Sequence, residues 1–135
     1  MEKIEKLEEG QNYSAISIGN MSNQQEKVFI KDAVKATGTE ISFEELPSHK
    51  ESRFYHTHKQ NEEIYIVLKG FGDFQVDGDI FPVAEGSIVR VAPNGVRALR
   101  SGDEPMLYMV IQSREGSLNQ YTMTDGNVVE RKIEW

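Results

Sequence analysis

From Tyr13 onward, apolar residues recur at every second position, and glycine-bearing turn signals interrupt the runs every few residues. A period of two is that of a strand, whose successive side chains point to opposite faces. The runs fall at 15–18, 28–31, 40–46, 53–58, 63–68, 72–76, 80–83, 87–92, 96–100 and 105–112. Between them stand Lys69-Gly70, Asp77-Gly78, Glu85-Gly86, Asn94-Gly95 and Ser101-Gly102-Asp103. Asp77-Gly78 is the sharpest of these, because a two-residue type I′ hairpin needs positive φ at both central residues, which Asp tolerates and Gly prefers. Many short strands at this spacing predict an all-β sandwich or closed barrel.

The ends of the chain are less regular. Ile4 and Leu7 stand at helical spacing among charges, enough for one turn but not for an assigned element. Residues 116–135 are polar, with a turn at Thr124-Asp125-Gly126-Asn127, after which Val128, Val129 and Ile133 are expected to form a closing strand. No repeat or linker divides the 135 residues, so a single domain over 1–135 is expected, long enough to bury a core without cross-links.

The chain has no cysteine, which excludes disulfides, thiolate metal sites and cysteine nucleophiles. Any metal must use nitrogen and oxygen ligands. A net charge of −7 gives the surface a field that repels nucleic acid and anionic lipid, so neither is an expected partner. No stretch approaches the roughly 20 apolar residues that span a bilayer. The first nine residues alternate charges and lack the apolar stretch of a signal peptide, so the cytoplasm is the expected compartment.

The chemistry gathers around His56 and His58. Residues i and i+2 of a strand share a face, so the two imidazoles can converge on one ion. Four residues later, Glu62 and Glu63 open another run, and only one of them can face the histidines. On alternation alone the two stand nearly level. Two imidazoles and one carboxylate form a facial set suited to Fe, Mn, Ni or Zn as divalent ions, with positions left for water or substrate. A His-X-His pair by itself is more often incidental than a metal site, so the surrounding spacing has to decide.

That spacing resembles the two motifs of the cupin superfamily. In the first, G(X)5HxH(X)3–4E(X)6G, His56-Thr57-His58 is followed by four residues, Glu63, six residues and Gly70, which selects Glu63 over Glu62. The opening glycine is replaced by Lys50. The second motif, G(X)5PxG(X)2H(X)3N, is matched in outline by residues 86–97. Counted from Gly86 its histidine falls on Arg97, and counted from Pro93 and Gly95 it falls on Ala98, so the fourth family ligand is missing. The resemblance implies a double-stranded β-helix, or jelly-roll, cupin barrel with its site core over 53–112. It also implies a divalent metal ion at His56, His58 and Glu63.

Arginine stays protonated and offers no lone pair, so Arg97 cannot replace the missing ligand. Either it presents a two-pronged donor to a carboxylate or phosphate of a small-molecule substrate, or it points outward at the barrel edge. The spread of Arg90, Arg97 and Arg100 over neighbouring strands tilts the expectation slightly to the second. Tyr65 shares the face of Glu63 and can offer its hydroxyl to a ligand or a water, although core packing is the weightier expectation. His49 belongs to a polar loop and is expected to be solvated.

Ile64, Ile66 and Leu68 face away from Glu63 and are all apolar, so something must cover that side. Small cupins that resemble this chain are often dimers, and a homodimer is expected. For function, the resemblance implies either an enzyme or a binder. Dioxygenases, isomerases and decarboxylases are all represented among the relatives, and shared fold does not choose between them. The alternative is a non-catalytic ligand-binding or structural dimer whose metal stiffens the barrel. A metal-free sugar epimerase would need a separate acid and base, and the HxH cluster with Glu63 speaks for metal instead.

Overall fold

The computed structural model describes residues 4–21, 26–120 and 122–135. Residues 1–3 of the charged amino-terminal segment lie outside that range. The chain runs β1 (Glu5–Glu9), β2 (Ser14–Ser17), β3 (Val28–Phe29), α1 (Lys31–Val34), β4 (Glu40–Leu46), β5 (Asn61–Lys69), β6 (Phe71–Val76), β7 (Asp79–Ala84), β8 (Ile88–Val91), β9 (Arg97–Ser101), β10 (Met106–Arg114) and α2 (Thr122–Asp125). A five-stranded sheet of order β3-β4-β10-β5-β8 faces a three-stranded sheet of order β7-β6-β9, and β1 pairs with β2. Every pairing is antiparallel. This is the jelly-roll arrangement that the cupin resemblance implies, and it meets the sandwich or barrel that the alternation predicts.

The core lies between the two sheets. Tyr65 and Val67 of β5, Phe74 of β6, Val83 of β7, Val91 of β8, Leu99 of β9 and Tyr108 and Val110 of β10 form one buried cluster with Leu46 and Met106. Tyr65 packs edge-on to Phe74 at 4.8 Å between ring centroids and stacks on Tyr108 at 6.2 Å. The interior is therefore filled with side chains.

Two turns fix the register. Asp77 and Gly78 both have positive φ, at 52° and 90°, as a type I′ hairpin between β6 and β7 requires. Gly70 joins β5 to β6 with φ of 83°, and a Cβ there would stand 2.2 Å from the carbonyl oxygen of Pro105. Only glycine meets both conditions, which gives the glycine that closes the first motif a steric role.

The segment around Ile4 and Leu7, to which the sequence assigns no element, forms no helical turn: Glu5–Glu9 pairs along β2 as a hairpin with a register shift at Leu7. Two expectations are corrected. The run 28–31 ends at Phe29, after which Lys31 opens a short helix. The closing strand at Val128, Val129 and Ile133 does not form. These residues follow α2, are strongly exposed and pair with none of the named strands. No helix is long and apolar enough to cross a membrane among the described residues.

Candidate metal centre

The strand expected over 53–58 does not form. Two isolated antiparallel bridges, Glu51 with Arg100 and His56 with Arg97, hold this segment against the edge of β9. Five steps of chain from Glu51 to His56 face three steps from Arg100 to Arg97, so the surplus bulges outward and leaves Phe54 and Tyr55 exposed. The bulge ends where His58 N donates to the Pro93 carbonyl at 2.9 Å, which ties the second histidine to the β8–β9 turn. The two imidazoles still converge, with ring centroids 5.2 Å apart and planes at 84°.

Glu63 comes from β5, where the faces separate as the alternation predicts. Glu63, Tyr65 and Val67 are buried, while Glu62, Ile64, Ile66 and Leu68 are half-buried on the other side. Glu62 is bound outside by Arg90 at 2.7 Å, so it cannot compete for the site. His56 Nε2 stands 3.4 Å from Glu63 Oε1 and His58 Nε2 stands 3.2 Å from Oε2. One ligand atom from each residue lies within 4.8 Å of the others.

Arg97 points inward, which overturns the expectation that it lies outward at the barrel edge. It is 0 % exposed. Its Nη1 donates to Glu63 Oε1 at 2.7 Å, its Nη2 to the Ala92 carbonyl at 2.8 Å and its Nε to the Gly95 carbonyl at 3.0 Å. The fork expected for a substrate anion is thus engaged by the protein itself. The signal was present in β9, where Arg97 shares its parity with the core residue Leu99, and Arg100 does not. Arg90 and Arg100 are exposed and pair with Glu62, Glu115 and Asp73. The carbonyls of Ala92 and Gly95 have no side-chain signature, so their part in holding Arg97 was not legible beforehand.

Tyr65 takes the core-packing role expected of it, and its hydroxyl is engaged by Glu63 instead of being offered to a ligand or a water. Its ring packs in the core, and its hydroxyl donates to Glu63 Oε1 at 2.7 Å. Burial pushes that hydroxyl's pKa well up, and the Glu63 carboxylate adds to the effect, so the group stays a proton donor. Burial alone would raise the Glu63 pKa. The Tyr65 hydrogen bond and the neighbouring His58, Arg97 and His56 outweigh it and hold the carboxyl below its usual range. Burial lowers the His56 pKa, against the opposing pull of Glu63. The arrangement therefore favours an ionised carboxylate beside a neutral imidazole, the forms in which both bind metal. His49 is exposed in a loop with φ of 56° and lies 3.3 Å from Asp103, apart from this cluster.

The residues fit a metal ion. His58 Nε2 is, among the described residues, the buried side-chain polar atom without a hydrogen bond, although a carboxylate oxygen stands 3.2 Å away. Ligands at about 2.0–2.1 Å from an ion lie about 2.8–3.4 Å from one another for right-angled to tetrahedral geometry. The 3.2 Å between His58 Nε2 and Glu63 Oε2 matches that spacing. His56 and His58 keep part of their side chains exposed, at 35 % and 24 %, so the cluster opens at the barrel mouth. A cleft of ≈ 290 Å³ lined by Tyr55, Gln75, Ala98 and Arg100 lies on the outer face of the three-stranded sheet, and none of the three ligands lines it.

Residues 42–112 match the family model described as a cupin domain. The chain is similar to a cupin protein from Bacteroides fragilis, at 39 % identity and a TM-score of 0.82, covering 89 % of this chain and 99 % of that one. It is also similar in fold to a conserved protein with a double-stranded β-helix domain from Klebsiella pneumoniae, at 13 % identity and a TM-score of 0.59, covering 70 % and 81 % of the two chains. A third similarity in fold is to the DMSP lyase DddQ from Ruegeria pomeroyi, at 23 % identity and a TM-score of 0.52, covering 67 % of this chain and 46 % of that one. The comparison with curated proteins gives no match.

Proposed function

Since the chain belongs to the cupin family, we propose that it holds one divalent metal ion at His56, His58 and Glu63 and acts through it on a small molecule at the barrel mouth. The observation that carries this reading is His58 Nε2, a buried nitrogen with no hydrogen bond, set 3.2 Å from an ionised carboxylate. Leaving such a group unsatisfied costs about 1–3 kcal/mol, and a bound ion removes that cost. When bound, Zn, Fe, Mn or Ni supplies a Lewis acid that polarises a carbonyl or enolate oxygen, or activates water or dioxygen.

The chain's own residues set the limits of the chemistry. Tyr65 and Arg97 keep Glu63 ionised and oriented. With both engaged by Glu63, no other interior acid or base stands beside the ligands among the described residues, so proton transfer would fall to the substrate or to solvent. The side chains filling the interior confine a substrate to the open side, beside His56 and His58. Activities of the isomerase, decarboxylase or dioxygenase type could each begin with a substrate oxygen held at such a metal, the first two with a proton exchanged with solvent and the third with dioxygen and a redox-active ion, and the lyase that shares the fold does not decide among them.

The packed interior favours a second reading, a metal-stabilised binder without turnover. Screening the metal-loaded protein against small carboxylates, enols and diones separates the two. Turnover that vanishes on chelation and returns with metal supports the enzyme. Binding without turnover across the panel sinks it and leaves the binder.

We also infer a homodimer built on the outer face of the five-stranded sheet. Phe43, Met109, Ile66 and Ile88 stand side by side across β4, β10, β5 and β8, with Ile41, Ile111 and Ile64 in the next row. Ile88 is 67 % exposed in the single chain. An apolar surface of this kind is stabilised by burial against a second copy.

A further inference from the structure

Glu63 offers two carboxylate oxygens, and its surroundings treat them differently. Oε1 accepts two short hydrogen bonds, from Tyr65 Oη and Arg97 Nη1, both at 2.7 Å. A carboxylate oxygen presents about two in-plane acceptor positions, so these donors fill it and leave none for His56 Nε2, which stands 3.4 Å away. Oε2 accepts no hydrogen bond from Tyr65 or Arg97 and lies 3.2 Å from the unpartnered His58 Nε2. The two donors are fixed as well as near. Arg97 is anchored by the Ala92 and Gly95 carbonyls, and its backbone N donates to His56 at 3.3 Å, while the Tyr65 ring is locked against Phe74 and Tyr108.

Building on the metal reading above, we infer that Arg97 and Tyr65 are positioning residues that clamp Glu63 Oε1, so that the carboxylate meets the metal through Oε2 alone. Arg97 thus takes no part as a ligand or as a substrate anchor. It stands across the bridge from His56 and fixes which oxygen of Glu63 is offered. A single-oxygen contact leaves one more position at the ion for a small molecule than a two-oxygen contact would.

The test is the metal-minus-apo difference infrared spectrum of the Zn(II)-loaded protein, with glutamate carrying 13C in its carboxyl group. One-oxygen binding separates the asymmetric and symmetric carboxylate stretches widely, and two-oxygen binding brings them together. A wide separation is expected for the native protein, absent in Glu63→Gln. Narrowing is expected in Tyr65→Phe, and further narrowing in Arg97→Met. Arg97→Lys, which keeps a donor and the charge, should retain more of the native separation than Arg97→Met. Should Arg97→Met fail to fold, Tyr65→Phe, a change of one hydroxyl, carries the same readout. A narrow separation in the native protein, or one unmoved by Tyr65→Phe and Arg97→Met, overturns the clamp while leaving the metal site standing. Native protein that takes up no Zn(II) overturns the metal reading and the clamp with it.

Discussion

Replacing Arg97 by methionine should destabilise the metal-free protein more than any other single change at the site. Arg97 is 0 % and Glu63 4 % exposed, and their contact is 2.7 Å. Methionine fills much of the same space but leaves the carboxylate buried without its counter-charge, a situation that costs about 3–5 kcal/mol in comparable buried pairs. The Ala92 and Gly95 carbonyls lose their partner as well. At about 3 °C per kcal/mol for a chain of this size, the melting temperature should fall by about 10–15 °C. The assay is urea unfolding in the presence of a chelator, repeated in a Glu63→Gln background. There Glu63→Gln has already left the Arg97 charge buried without a partner, and Arg97→Met removes that charge, so the change should cost less than about 1 kcal/mol or stabilise, and the difference is the coupling energy of the pair. A loss below about 1 kcal/mol in the native background, or the same loss in both backgrounds, would refute the reasoning.

Three further outcomes are expected. Metal-free stability should fall with acid, in two windows of the same sign. The depressed His56 pKa makes its contribution fully present above the unfolded value near 6.5 and lost as pH falls through the folded one, and Glu63 does the same below about 4.5; urea midpoints that stay level between pH 8 and pH 5 would contradict this. Gly70→Ala combines a positive φ with a Cβ 2.2 Å from the Pro105 carbonyl oxygen, and should cost at least about 2 kcal/mol; an unchanged thermal midpoint would show the β5–β6 turn is not held this way. Ile88→Lys places a charge on the exposed outer row of the large sheet; light scattering should give a monomeric mass with circular dichroism unchanged, and a persistent dimer would move the interface elsewhere.

How far the sequence carried varies with the kind of force that decides each element. Strands β4 to β10 were legible because burial on one face enforces alternation, and the same rule put Glu63, Tyr65 and Val67 on one side of β5. The choice of Glu63 over Glu62 came from its distance to Gly70, and the structure supplies the cause in a turn that admits only glycine. The histidine segment was misread because its alternation is real but its length exceeds that of the β9 edge it flanks, a mismatch visible only once the bridges are known. The tail was misread because Val128, Val129 and Ile133 suit a strand locally, whereas a strand also needs an edge to pair with. The spread of Arg90, Arg97 and Arg100 over neighbouring strands does not show which of them turns inward; the buried carboxylate of Glu63 and the Ala92 and Gly95 carbonyls decide it for Arg97.

The central claim is that His56, His58 and Glu63 together hold a metal ion, and metal content tests it most directly. Purified native protein and His58→Ala are loaded with Zn(II), desalted and assayed by elemental analysis, with circular dichroism confirming that both are folded. About one ion per chain is expected in the native protein and little or none in His58→Ala, because a third of the ligand set is gone. Equal metal content in the two proteins, or none in the native one, would contradict the site.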